Sequence, residues 1–131
     1  MRLIFNHLLI RILNLASERL VLLTDQRNAV NEWSKTKDAT ERTRRIGEAR
    51  RIVENLLRNR DYVHGVLEAV EESRPETITP EQQAMVSIIR KMFRWSLAEY
   101  KSIVEYATEI EFDSGILEEL QKDTEEAVEG S

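Results

Sequence analysis

One arginine–histidine pair has residue types that suit metal-free phosphodiester chemistry. Arg58 precedes His64 by six positions in the run RNRDYVH, which covers residues 58–64. A guanidinium can stabilise charge on a scissile phosphate, and an imidazole can move a proton near neutral pH. Arg58 and His64 are therefore candidates for phosphodiester chemistry that needs no metal.

The same run resembles the arginine–five-residues–histidine motif of the HEPN family, small all-α proteins of which many are ribonucleases. The resemblance implies one alternative function, a metal-independent ribonuclease in which Arg58 stabilises charge on the phosphate and His64 helps to activate the 2′-hydroxyl. It also implies that Asn59 is the polar residue often found beside the arginine. The match covers seven residues in mid-chain, whereas the family usually carries its motif near the start of the last main helix.

A stripe of arginines with helical spacing offers a second chemistry, contact with nucleic-acid phosphates. These arginines recur every seven residues, at Arg44, Arg51 and Arg58. An acidic residue lies three or four positions before each of them, at Glu41, Glu48 and Glu54. Because this spacing allows ion pairs on one helix surface, we expect a largely neutralised, solvent-exposed face. Nucleic-acid binding through the stripe remains an alternative.

Other site chemistries find little support in the residue types. The chain has no cysteine, which excludes disulfides, thiolate metal sites and cysteine nucleophiles. Its two histidines, His7 and His64, do not form the Glu-x-x-His pairs of a di-iron bundle. No glycine-rich phosphate loop is present. The sequence therefore predicts no metal and no cofactor, and it favours a non-enzymatic protein.

The elements that carry these residues are predicted to be helices. Residues 1–131 fit one domain, and only four glycines and two prolines interrupt a chain that is 41% apolar and 33% charged. We expect an all-α antiparallel helical bundle of three long helices, at about 3–36, 39–72 and 80–111, and a short acidic fourth at 115–128. Asp38 and Thr79 have the spacing of helix N-caps, Thr79 with Gln82 as a capping box.

The apolar pattern predicts which face of each helix lies in the core. In the first helix it selects Phe5, Leu9, Ile12, Leu13, Ala16, Leu20 and Leu23. In the second it gives a coiled-coil-like heptad seam of Ile46, Ala49, Val53, Leu56, Arg60, Val63, Leu67 and Val70. Arg60 is the polar exception in this seam. In the third helix, Ser96 is the small member of an otherwise large apolar seam.

The first helix carries more apolar surface than three packed helices need. Leu3, Ile10 and Val21 lie on the far flank of its polar stripe, away from the predicted core face. Arg11, Glu18 and Arg19 argue against a membrane span. We therefore interpret Leu3, Ile10 and Val21 as a surface for self-association or for a protein partner.

Segments of the first two helices also resemble the flagellin-export chaperones. The similar segments are residues 16–21, 49–57 and 61–65, although the proline, the glycine pair and the tyrosine-rich third helix usual in that family are missing. Those proteins are small cytosolic bundles that sequester the terminal helices of an export substrate. The sequence thus favours a cytoplasmic adaptor, small chaperone or assembly factor that binds itself or a partner helix through its first helix.

Overall fold

The chain folds into four α-helices. The computed structural model describes residues 2–130, with side chains from residue 4 onward. The helices are α1 (Arg2–Lys35), α2 (Ala39–Ser73), α3 (Pro80–Glu109) and α4 (Gly115–Glu129), and residues 2–130 contain no strand. The predicted all-α class is confirmed, and every predicted helix boundary lies within two residues of the observed one.

Side-chain caps define the starts of α2 and α3, whereas the N-cap residue of α4, Ser114, makes no side-chain cap bond. Asp38 Oδ2 accepts a hydrogen bond of 2.9 Å from the Glu41 amide at the start of α2. At α3, Thr79 Oγ1 accepts from the Gln82 amide and Gln82 Oε1 accepts from the Thr79 amide, which completes the predicted capping box. At α4, Asp113 Oδ1 accepts from the Gly115 amide at 3.1 Å. The predicted capping residues Asp38 and Thr79 therefore cap α2 and α3.

Contacts between helices fix their relative directions. From α1 to α3, bonded pairs keep a nearly constant separation of 76, 72 and 75 residues (Asn6–Gln82, Arg27–Glu99 and Asn31–Tyr106), so these helices run parallel. From α1 to α2, early residues of one contact late residues of the other, so these two run antiparallel. The contacts thus give an antiparallel direction for α1 with α2, whereas α1 and α3 point the same way.

The helices form a four-membered ring in which α1 packs on α2 and α3, and α4 packs on α3 and on part of α2. Within the described part of the chain, the backbones of α2 and α3 do not come close to each other, although side chains of both helices belong to the same core clusters. Residues 74–79 join the end of α2 to the start of α3. They cross the end of the bundle at which α1 begins, which we call the base. Six extended residues span up to about 20 Å, which suffices for this diagonal crossing.

The core consists of two apolar clusters separated by a polar layer. The cluster at the base contains Phe5, Leu9, Val63 and Phe93, among others. The upper cluster joins Leu23, Leu56, Tyr100, Ile103, Leu117 and Leu120. Most of the predicted core face of α1 is buried, with Leu13 and Leu20 half-buried. None of the helices, over the residues described, has the length and apolarity needed to cross a bilayer.

Candidate functional site

A buried arginine lies between the two apolar clusters. Arg19 is only 3% exposed, and its side chain contacts all three other helices. Its Nε donates to Asn59 Oδ1 of α2 at 3.0 Å, and its Nη1 donates to Thr124 Oγ1 of α4 at 3.3 Å. Its guanidinium carbon lies 5.2 Å from the centroid of the Phe93 ring on α3. One residue of α1 therefore ties the whole ring of helices together.

The partners of Arg19 are themselves bonded to backbone. Asn59 Nδ2 donates to the Leu15 carbonyl at 2.9 Å, and Thr124 Oγ1 donates to the Leu120 carbonyl at 2.9 Å. Because buried polar groups are costly when they lack partners, such a network is stable only when the helices keep this register. We call Arg19, Asn59 and Thr124 the polar layer.

Burial controls the protonation of the groups around the polar layer. Desolvation lowers the pKa of the Arg19 guanidinium, while the nearby Tyr100 and Asp123 raise it and Arg60 lowers it further. Desolvation raises the pKa of Tyr100 to about 12, and the Arg19 charge opposes this shift. Neither of the two main cavities in the described part of the chain is lined by Arg19. The bonds of the polar layer to three helices suit it to fixing helix register.

The structure corrects the predicted polar position in the α2 seam. Arg60 does not occupy the core; its guanidinium is half-exposed and bonds Asp61 at the surface, at 3.2 Å. Asn59, the preceding residue, is fully buried instead. Because one residue rotates the position around a helix by about 100°, a small rotation of α2 moves Asn59 inward and Arg60 to the edge.

The ribonuclease pair is not brought together within α2. Arg58 is exposed on the outer side of the helix. His64 is half-exposed on the side that meets α4, where its Nε2 lies 3.1 Å from Asp123 Oδ2. Six residues separate the two side chains by about 120° around the helix and about 9 Å along it. The helix therefore presents Arg58 and His64 to different surroundings.

The arginine stripe lies on the outer face of α2, with Arg44, Arg51 and Arg58 all exposed. The predicted pair Glu41–Arg44 is present. Glu48, however, pairs with Arg44 at 2.9 Å and with Arg45 at 3.3 Å rather than with Arg51 as expected. Acidic partners thus neutralise the first turns of the stripe.

As for metals, no three acidic or histidine side chains converge as ligands among the described residues.

Two of the predicted partner-binding residues are exposed on α1. Val21 is 59% exposed, and Ile10 is also exposed. The side chain of Leu3 lies outside the described residues. Sequence reasoning missed several further exposed apolar residues, among them Ile88 and Trp95 on α3, with Trp95 57% exposed. Ile88 and Trp95 are seven residues apart and lie outside the seam of α3 that was predicted to face inward. This spacing is the sequence signal that could have identified them.

These four residues share one surface. Since α1 and α3 run parallel with an offset of 72 to 76 residues, Val21 lies level with Trp95, and Ile10 lies within about one turn of Ile88. At about 100° per residue, both sets fall on the outward side of the α1–α3 contact. We call the surface formed by Ile10, Val21, Ile88 and Trp95 the α1–α3 face.

Two exposed stripes with heptad-like spacing extend this face. On α1 the stripe consists of Ile10, Asn14, Ser17, Val21, Thr24 and Asn28, all exposed and all uncharged. On α3 it consists of Ala84, Ile88, Lys91, Trp95, Ala98 and Ser102, all exposed, with Lys91 as the charged member. In a chain that is 33% charged, a set of twelve exposed residues with one charged member is typical of an interface core. The residues one turn from Trp95 on α3, Lys91 and Glu99, are both charged.

Comparisons with protein-family models, with curated proteins and with solved structures find no match to this chain. The candidate sites therefore rest on their own geometry.

Proposed function

We propose that this chain is a non-enzymatic interaction protein that pairs with a second copy of itself through the α1–α3 face. The observation that carries the proposal is the alignment of two exposed, charge-poor stripes on neighbouring parallel helices, with Val21 level with Trp95. Such a surface resembles one side of a helix–helix interface, with spacing suited to interdigitating side chains.

Self-complementarity favours a second copy as the partner. The polar members of the α1 stripe are amides and hydroxyls, which both donate and accept hydrogen bonds and so can pair with themselves. A two-fold axis at the level of Trp95 would bring Lys91 of each copy level with Glu99 of the other, because 95 is the midpoint of 91 and 99. Glu99 already pairs with Arg27 of its own chain, so Lys91 would join an existing ion pair. A two-fold interface requires this kind of reciprocal matching.

The size of the face is adequate for a dimer. The α1 stripe extends from Ile10 to Asn28, about 27 Å at 1.5 Å per residue, and two helices side by side are about 20 Å wide. Each copy would then bury on the order of 500 Å², and the pair about 1,000 Å², the lower end of specific interfaces.

The test is the solution mass of the wild-type protein and of charge variants. We expect sedimentation equilibrium to give twice 15.3 kDa for the wild type. Val21→Glu and Trp95→Glu place a charge in the interface and should give 15.3 kDa. Because both side chains are more than half exposed, the circular dichroism of these variants should be unchanged.

Tyr62→Glu is the matched control, since Tyr62 is an equally exposed large residue on α2, away from the proposed interface. It should leave the dimer intact. A wild-type monomer at tens of micromolar protein, or variants that remain dimeric, would overturn the proposal.

A further inference from the structure

A cleft lies at the base of the bundle, between α2 and α3. The backbones of these two helices do not come close to each other, and α4, which packs on both of them, ends at Glu129. Beyond this end the cleft forms a cavity of about 180 Å³, with Ala127 and Val128 of α4 in its wall. No residue that lines it belongs to the α1–α3 face, so the cleft is independent of the proposed function.

The interior of the cleft is apolar. Buried core residues form its floor, among them Phe5, Ile89 and Phe93. Half-buried aliphatic side chains form its sides, among them Val70 and Val86. No uncharged polar side chain is among the described residues that line it. Because a polar group buried without a hydrogen-bond partner is costly, the part of a ligand that enters this cleft must be hydrocarbon.

The charged residues of the cleft lie at its rim. They are Arg74, Arg90 and Glu71, all exposed. Neither arginine side chain forms a hydrogen bond or an ion pair among the described residues. Two unpaired guanidinium groups against one carboxylate favour an anionic head group. A carboxylate suits them, since it accepts two parallel hydrogen bonds from one guanidinium.

The cleft is also narrow and short. Its volume is below the roughly 300 Å³ at which pockets for drug-sized ligands begin, so it suits one thin chain better than fused rings or a two-chain lipid. On each long helix its lining residues extend over seven positions, about 10 Å at 1.5 Å per residue. An extended chain advances about 1.2 Å per bond, so about eight carbons span this length.

We propose that this cleft binds a medium-chain fatty acid, with the hydrocarbon chain on the apolar floor and the carboxylate at Arg74 and Arg90. The apolar floor, the unpaired arginines at the rim and the size of the cavity each select one property of this ligand: a hydrocarbon body, an anionic head group and a single short chain.

The probe is octanoate, with octan-1-ol and octylammonium as matched compounds that keep the chain and change the head group. Binding is followed by the methyl signal of Ile89 in ¹³C-labelled protein, assigned with the variant Ile89→Val. We expect a saturable shift with octanoate. The alcohol should bind at least about tenfold more weakly, because charge-assisted hydrogen bonds are stronger than neutral ones. The ammonium compound should bind more weakly still.

A double variant tests whether the two arginines recognise the head group. Arg74→Gln with Arg90→Gln should bind octanoate and octan-1-ol with similar affinity. The matched control is Arg51→Gln with Arg58→Gln, which removes two exposed arginines from the outer face of α2 and should discriminate as the wild type does. All four positions are exposed, so both double variants should fold.

Three results would overturn the proposal. The first is no saturable shift with octanoate up to about 10 mM, tenfold above a weak dissociation constant of about 1 mM. The second is equal affinity of the wild type for octanoate and octan-1-ol. The third is a preference for octanoate that persists without Arg74 and Arg90, or that is lost equally in the control.

Discussion

At the scale of single residues, Arg19 is the side chain whose removal is most informative. Arg19→Met keeps the length of the side chain but leaves the buried Asn59 Oδ1 without its donor. An unsatisfied buried acceptor costs about 1–3 kcal/mol. We therefore expect the free energy of unfolding, measured by urea titration, to fall by about that amount.

Removing the whole polar layer should behave differently. In the triple variant Arg19→Met, Asn59→Leu and Thr124→Val, no member of the layer remains unpaired, and replacement of buried polar networks by apolar residues is often neutral or stabilising. We expect the triple variant to recover the stability lost in Arg19→Met. If the stability losses of the three single variants add up in the triple variant, the network is not a unit and our account of it is wrong.

At the scale of elements, the end of α3 stores backbone strain at Glu111. This residue has φ of 58°, in the left-handed region, and it lies between two bonds that close the helix, Glu111 N–H to the Thr108 carbonyl and Phe112 N–H to the Ala107 carbonyl. Such endings usually place glycine there, because a left-handed conformation costs other residues about 1 kcal/mol or more. Glu111→Gly should therefore raise the thermal midpoint by about 3–5 °C.

The control for Glu111→Gly is Glu105→Gly, an exposed position within α3. There glycine weakens the helix by about 1 kcal/mol, so differential scanning calorimetry should show the opposite shift. A lower midpoint for Glu111→Gly would contradict the assignment of strain to this residue.

At the scale of the whole molecule, dimerisation through the α1–α3 face would couple stability to protein concentration. Because association stabilises the folded state by mass action, the thermal midpoint of the wild type should rise as protein is increased from about 1 to about 100 times the dimer dissociation constant. The midpoint of Val21→Glu should not depend on concentration. A wild-type thermal midpoint that does not depend on protein concentration would contradict pairing of two copies through the α1–α3 face.

Local patterns in the sequence were sufficient for the helices and most of the core. Few glycines and prolines, the capping residues Asp38 and Thr79, and the three-to-four spacing of apolar residues predict four helices with nearly correct boundaries. These features act within one or two helical turns, so no knowledge of neighbouring helices is needed. The exposure of Ile10 and Val21 followed from the same periodicity.

Tertiary structure alone decided which polar residues face inward and which surfaces join. The arginine buried in the core is Arg19 rather than Arg60, because the rotation of each helix depends on the packing of all four. The parallel pairing of α1 with α3 brings Val21 level with Trp95, and the cavity lined by Ala49, Phe112 and Leu117 forms where α1, α2 and the α3–α4 turn meet. The periodicity along one helix determines which residues share a face. Only the contacts between helices determine what that face packs against.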